Sequence, residues 1–491
     1  MRGWQVAVDL RGEGEQPIFI RLARAISDDV RRGRLKPGDA LPGSRSLARD
    51  LGVHRNTVLA AYAELAAEGW VTTAAAAGTF VSRALPEVER KRATAASKAE
   101  PAVRLGFDLN LRSNSSNRRS TPPPGLLTLS GGVPDVRLLP TVALARAYRR
   151  ALKQQGPQLL GYGDARGHAR LRRALAEMLS ALRGVAADED GIMLARGSQL
   201  ALYLVGRALL APGDVVAVEA LGYRPAWTAL AETGARVVPI PVDAHGIDVD
   251  ALEALAGRER LRAVYVTPHH QYPTTVMLAA GRRLKLLELA RARRIAVIED
   301  DYDFEFHYEG RPVLPMASTD RAGVIVYVGT LSKILAPSLR LGFVVAPPPL
   351  IDRLAELRLS IDRQGDQVVE CAVAELIEDG ELQRHARRMR RVYHSRRDAL
   401  IGSLHKRLGG LLSFAVPAGG MALWAHSDGV DVDAWAERAL ERGAQFHPGR
   451  QFAFDGKPRP ALRLGFAALT EAELDEGVRR LVAALPLRNS R

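Results

Sequence analysis

The sequence predicts a two-part α/β chain. A small N-terminal helix-turn-helix with a hairpin wing is followed by a linker and a large doubly wound α/β region. Three observations carry that reading. Residues 14–83 run helix, helix, tight turn, helix, then two short strands. Residues 84–122 lose apolar content and carry Glu89-Arg90-Lys91-Arg92, Ser113-Asn114-Ser115-Ser116-Asn117 and Pro122 with two further prolines, the composition of a linker. From residue 123 to 491, short β-branched runs alternate with longer amphipathic stretches. The runs include Val215–Val218, Ala263–Val266, Ile295–Ile298 and Val324–Val328, each a buried strand of parallel type by length and branching.

Composition narrows the function classes. A chain of 491 residues is too long for one ordinary core. With 47% hydrophobic and 25% charged residues it is globular rather than disordered. The formal net charge of +14 attracts polyanions. Cys371 is the only cysteine, which excludes an internal disulfide and a thiolate metal cluster; its apolar helical setting predicts a buried thiol. No apolar run is long enough to span a membrane, and Met1 to Leu10 lacks the apolar core of a signal peptide, so a cytoplasmic location is expected.

In the N-terminal part, Pro17 to Arg32 reads as an amphipathic helix with Ile20, Ala23, Ile26 and Val30 on one face. Ser44 is the expected N-cap of a second helix, Arg45 to Leu51, and Gly52-Val53 is the turn. The third helix starts near His54 and ends at Gly69. Trp70–Thr73 and Thr79–Val81 are the arms of the wing, with Gly78 in its tight turn. That geometry aims His54, Arg55, Asn56 and Thr57 into a DNA major groove. Ser44 and Arg45, at the start of the second helix, come near a phosphate or a guanine edge. The wing itself is Ala-rich from Ala74 to Ala77, without a cation for phosphate.

In the large region, Thr330-Leu331-Ser332-Lys333 directly follows a strand, and Arg340 lies about two turns on. An amine there can form a Schiff base with a phosphate-bearing aldehyde, while Thr330 and Arg340 hold the phosphate. Asp300, at the end of an apolar strand, can pair with a protonated pyridine nitrogen, and Tyr302 can hydrogen-bond a phenolic oxygen. The alternative for the paired Asp300 and Asp301 is a metal ion; no histidine or further carboxylate cluster joins them in the chain, so no metal is expected. Ser198 and Gln199 open a helix whose free amides make an anion site, and Tyr223 can stack on a ring.

These residues resemble two known families. Leu41 to Val81 resembles the DNA-binding domain of GntR-type regulators, following LPxxRxLAxxLGVxRxTV closely. The order of anion site, aromatic, Asp, Lys and Arg resembles fold-type-I aminotransferases. Together the chain is similar to the MocR/GabR family of transcriptional regulators. Tyr162-Gly163-Asp164, Ser130–Asp135 and His270-Gln271-Tyr272-Pro273-Thr274 resemble its further motifs.

The resemblance implies pyridoxal 5'-phosphate as cofactor and large and small aminotransferase-like subdomains, the small one from about 345 to 491. It also implies a homodimer in which Tyr162 reaches the partner subunit's cofactor. Arg463, in Leu462–Phe466, is implied to bind a carboxylate of a small amino-compound effector, with Arg224 a second candidate. Tyr272 stands where aminotransferases usually carry Asn, and Thr275 where they carry Gly. The expected partners are double-stranded DNA with paired half-sites and the effector. Two alternatives stay open: an active aminotransferase with a regulatory DNA-binding domain, and a DNA-binding regulator with a degenerate, cofactor-free large domain.

Overall fold

The computed structural model describes residues 17–74, 78–85, 125–129 and 131–485. The chain divides into two compact units, within residues 1–116 and 117–491. The expected linker from residue 86 on, Ser130 and the Ala75–Ala77 tip of the wing lie outside the described residues.

In the first unit, α1 (Ile18–Arg31), α2 (Ser44–Leu51) and α3 (Arg55–Ala67) precede an antiparallel hairpin of β1 (Val71–Ala74) and β2 (Gly78–Val81). Leu22, Ile26, Leu47, Val58, Leu65, Trp70 and Val81 close one apolar core. Gly52 takes a left-handed backbone (φ 65°) at the end of α2, which makes the tight turn into α3. The Tyr62 hydroxyl donates to the Pro42 carbonyl at 2.7 Å and ties α3 to the start of α2.

The second unit is built on a seven-stranded sheet. Its strands in chain order are β3 (Ile192–Arg196), β4 (Val215–Glu219), β5 (Arg236–Ile240), β6 (Leu261–Val266), β7 (Ala296–Asp301), β8 (Ile325–Thr330) and β9 (Leu341–Val345). They lie in the order β3-β9-β8-β7-β6-β4-β5. β9 runs antiparallel to both neighbours, and the other pairs are parallel. Alternate side chains feed two cores. Leu194, Ala217, Val264, Val297 and Tyr327 pack on one face, Met193, Val216, Ala263, Ile298 and Val328 on the other. Helices cover both faces, which is why the strands read as continuous apolar runs.

The helices that matter for the site are α4 (Thr141–Leu159), α5 (Ala169–Arg183), α6 (Ser198–Leu209), α7 (Arg224–Ala231), α8 (Val249–Arg258), α9 (Ala280–Arg293), α10 (Pro348–Leu359) and α11 (Gln367–Glu378). Cys371, on α11, is buried against Ala151 and Leu159 of α4.

The long α12 (Glu381–Leu408) leads into a four-stranded antiparallel sheet. Its strands β10 (Leu412–Ser413), β11 (Ala422–Ser427), β12 (His447–Pro448) and β13 (Ala461–Gly465) lie in the order β10-β11-β13-β12. A separate core of Met389, Leu400, Leu423, Trp435, Leu464 and Leu474 forms there, joined by Leu129 and Phe306 from earlier in the chain. The expected small subdomain therefore starts too early at 345. Ile351 and Leu354 of α10 and Val369 and Val373 of α11 belong to the two cores of the large sheet. Among the described residues, no helix is long and apolar enough to cross a membrane.

Thr275 occupies the left-handed region at φ 63°. A β-branched residue is strained there, whereas glycine is not. Thr275→Gly should therefore stabilise the chain by about 1 kcal/mol, read as a higher urea midpoint at unchanged m-value.

Candidate functional site

The first site lies at the start of α3. His54, Arg55 and Asn56 are exposed, and Thr57 is half-buried. His54 is the N-cap, its Nδ1 accepting from the Asn56 backbone N–H at 3.2 Å. The Arg55 Nε donates to the Ser44 hydroxyl at 3.3 Å, so the starts of α2 and α3 share one surface with exposed Arg45. Ser44 is not the cap expected of it: Gly43 is the N-cap and Ser44 the first helical residue. Gly78 sits at φ 113°, a conformation that favours glycine, at the far end of the wing. Cations, amides and a histidine on an exposed helix start suit a groove of base edges and phosphates.

The second site gathers at the carboxyl ends of the parallel strands, where an α/β sheet leaves room for a ligand. Asp300 closes β7. Its Oδ2 accepts from the Tyr265 hydroxyl at 2.7 Å, while its Oδ1 is buried with no hydrogen-bond partner in the protein. Burial raises its pKa to about 7, against the opposing pull of Tyr265 and the Lys333 charge. Lys333 follows β8, its Nζ donating to the Gly132 carbonyl at 2.5 Å.

Arg463 arrives from β13 of the small sheet. It is 1% exposed, and its Nε and Nη1 have no hydrogen-bond partner in the protein. Its guanidinium lies 4.5 Å from the centre of the Tyr272 ring, a cation–π contact. Gly131 makes room for it: a Cβ there would stand 2.4 Å from Nη1. Tyr272 thus does more than replace an Asn. Its ring meets Tyr223 at 5.5 Å, Tyr302 at 6.0 Å and Phe452 at 5.5 Å, and it braces the arginine.

The remaining expected residues divide. Ser198 and Gln199 do open α6, but Gly197 is the N-cap, and the Gln199 amide donates to the Pro225 carbonyl at 2.7 Å. What the turn offers an anion is therefore the N–H groups of its backbone rather than the Gln199 amide. Arg340 reaches this turn, donating to the Arg196 carbonyl at 3.1 Å. The Thr330 hydroxyl accepts from the Ser332 N–H at 3.1 Å and donates weakly to the Leu341 carbonyl at 3.3 Å. The Tyr302 hydroxyl donates to the His270 carbonyl at 2.9 Å. Tyr162 is 83% exposed and packs on Arg363, away from these groups within one chain. Arg224, the second effector candidate, is partly committed within the chain. Its guanidinium is spent on the carbonyls of Gln451 and Ala453, clasping α7 to that loop.

Sequence reasoning missed two supports. Glu219, ending β4, accepts from the Thr267 hydroxyl at 2.7 Å, and that same oxygen accepts from the Tyr272 N–H at 2.9 Å. Burial raises the Glu219 pKa to about 8, against the opposing hydrogen bonds from Thr267 and Gln271. A lone carboxyl closing an all-apolar run was the available signal. The fold also brings His269, His270 and His307 together beside Asp303; His307, in the same segment as Asp300, Asp301 and Asp303, was the signal the chain offered.

Comparison with known proteins agrees with this anatomy. Residues 20–81 match the family "Bacterial regulatory proteins, gntR family", and residues 124–481 match "Aminotransferase class I and II". The chain is 31% identical to the probable rhizopine catabolism regulatory protein MocR of Rhizobium meliloti, over 96% of this chain and 94% of that one. It is 30% identical to the HTH-type transcriptional regulator TauR of Rhodobacter capsulatus, over 96% and 97%. The solved LysN, an α-aminoadipate aminotransferase from Thermus thermophilus in complex with N-(5'-phosphopyridoxyl)-L-leucine, superimposes with a TM-score of 0.69. That match has 32% identity over 74% of this chain and 92% of that one. The chain therefore belongs to the MocR family of transcriptional regulators, which join a GntR-type DNA-binding domain to an aminotransferase-like domain.

Proposed function

We propose that this regulator senses pyridoxal 5'-phosphate, or its adduct with an amino compound, in the aminotransferase-like domain and thereby sets how its winged helix engages DNA in the cytoplasm. The observation that carries the reading is the set of buried polar atoms without hydrogen-bond partners in the protein, Asp300 Oδ1 and the Nε and Nη1 of Arg463, on either side of Lys333 in the chain. An unpaired buried polar group costs about 1–3 kcal/mol, so a site that keeps two is shaped for a ligand that pairs them.

The residues present fit the cofactor. When bound, it supplies an aldehyde for an amine and an electron-withdrawing pyridine ring. Lys333 offers the amine, Asp300 Oδ1 an acceptor for a ring N–H, and the α6 amides with Arg340 a cradle for phosphate. Tyr223 supplies an aromatic face. Arg463, braced by Tyr272, offers a planar fork for a carboxylate of the effector. Tyr272 in place of Asn removes an amide donor from the site, which favours retention of a ligand over its turnover.

A homodimer completes the reading. Leu160 and Tyr162 are 74% and 83% exposed, and Leu359 and Ile361 are also exposed. Tyr162 packs against Arg363, two residues from Ile361. Apolar side chains this bare suit a second copy of the chain, whose site would receive Tyr162. Two winged helices on one dimer then prefer paired half-sites.

Lys333→Ala should lose the visible absorbance of the loaded protein, and borohydride should fix no pyridoxyl group to the chain; a label retained elsewhere would assign the wrong lysine. Arg55→Ala should weaken operator binding by about 1–3 kcal/mol in gel shifts at fixed salt, and unchanged affinity would remove α3 from the major groove. Sedimentation at micromolar concentration should find a dimer; a monomer holding pyridoxal phosphate at full affinity would rule out the shared site.

A further inference from the structure

We propose that His269, His270 and His307 form a binding site for a divalent transition metal of the zinc class, distinct from the site that holds Lys333. The three come from two loops that follow neighbouring strands: His269 and His270 after β6, His307 after β7. One ring nitrogen from each lies within 4.8 Å of the others. Tetrahedral coordination by three imidazoles at about 2.0–2.1 Å brings such nitrogens to about 3.3 Å apart, a contraction that small side-chain rotations supply.

The nitrogens are also uncommitted. Both ring nitrogens of His269, the Nε2 of His270 and the Nδ1 of His307 are buried without a hydrogen-bond partner in the protein. The three residues are only 2%, 2% and 6% exposed. Buried polar atoms are nearly always paired, and four orphans on three adjoining rings need an explanation that ordinary packing does not give.

The surroundings have the features of a ligand set. His270 points its Nδ1 at the Asp303 carboxylate, 2.8 Å away and itself 1% exposed. A carboxylate behind a ligating imidazole fixes its tautomer and leaves Nε2 as the donor atom. Space in front of that atom is kept by Gly419, where a Cβ would stand 2.5 Å from His270 Nε2. Gly419 also pairs with His307 through an isolated β-bridge. Two buried cations face His269: Arg183, paired with Asp301 and Glu305, and Arg283, whose guanidinium donates to the carbonyls of Leu278, Leu314 and Pro268. Three imidazole nitrogens, one of them backed by a buried carboxylate, suit Zn²⁺, Co²⁺ or Ni²⁺ rather than Ca²⁺ or Mg²⁺, which take oxygen. A metal here would pin the loop carrying Tyr272 to the loop after β7, next to the segment that leads into β11.

The test uses tag-free, full-length protein dialysed against chelator and titrated with Co²⁺, then Zn²⁺. The expected result is one Co²⁺ per chain with intense visible bands of tetrahedral type, displaced by Zn²⁺. His269→Gln and His307→Asn should each weaken binding by more than about 100-fold, and His385→Gln, a buried histidine outside the cluster, should not. X-ray absorption of the Zn²⁺-loaded wild type needs no variant and should find three imidazole nitrogens at about 2.0 Å. Absence of saturable binding, an oxygen-dominated shell, or full affinity in the folded His269→Gln and His307→Asn proteins would overturn the site.

Discussion

A sheet buried on both faces can present chemistry only at its ends, and that constraint organises the second unit. The strand interiors from Ile192 to Val345 are consumed by two apolar cores. The polar groups that the large sheet gives the site therefore sit where a strand stops: Glu219 at the end of β4, Thr267 after β6, Asp300 and Asp301 at the end of β7, Thr330 at the end of β8. Hydrogen bonds then knit these ends sideways. Tyr265 reaches from β6 to Asp300, Tyr327 from β8 to Asp301, and Thr267 to Glu219. The sheet thus fixes the spacing of the acids before any ligand enters, and the site inherits the rigidity of the core beneath it.

What was legible in the sequence follows from the same constraint. Lys333, Asp300 and the α6 start could be read because each is announced by an apolar run that ends next to it. The helix order of the first unit could be read for a similar reason, since Gly52 and Gly69 punctuate it. The cap of the second helix slipped by one residue to Gly43, because a following serine offers the same local signal whether or not it makes the bond. The small subdomain was placed too early because α10 and α11 carry apolar stripes like any others. Only tertiary packing reveals that those stripes face the large sheet. The commitment of Arg224 to backbone carbonyls was invisible, as was the convergence of the histidines. Both depend on loops meeting from distant parts of the chain.

Buried charge tells the site apart from the scaffold. Arg183, Arg396 and Arg397 are buried too, yet each is paired: Arg183 with Asp301 and Glu305, Arg396 with Asp135, Arg397 with Glu309 and Asp398. Such pairs satisfy the guanidinium and hold the elements that bear it. Arg463 is equally buried but faces an aromatic ring instead of a carboxylate. A π face offsets part of the desolvation cost without occupying the N–H fork. The Arg463 Nε and Nη1 therefore remain without a hydrogen-bond partner in the protein, the feature on which the proposed carboxylate receptor rests.

The identity of residue 272 connects that receptor to regulation. An Asn there would offer one amide to a ligand and leave Arg463 without a brace. The tyrosine instead joins Tyr223, Tyr302 and Phe452 in one aromatic cluster, and its own backbone N–H is held by Thr267, which in turn donates to Glu219. Ligand contacts at Arg463 are thereby tied mechanically to β13 of the small sheet and, through the Tyr272 loop, to the end of β6. A carboxylate that pulls on the arginine pulls on both sheets at once. An enzyme benefits from releasing such a ligand quickly, whereas a regulator benefits from translating its presence into a stable change of shape. Under the proposed function the aromatic brace suits the second need: it ties Arg463 to the packing between two sheets, the kind of coupling by which a ligand bound in one unit acts on a DNA-reading helix in the other.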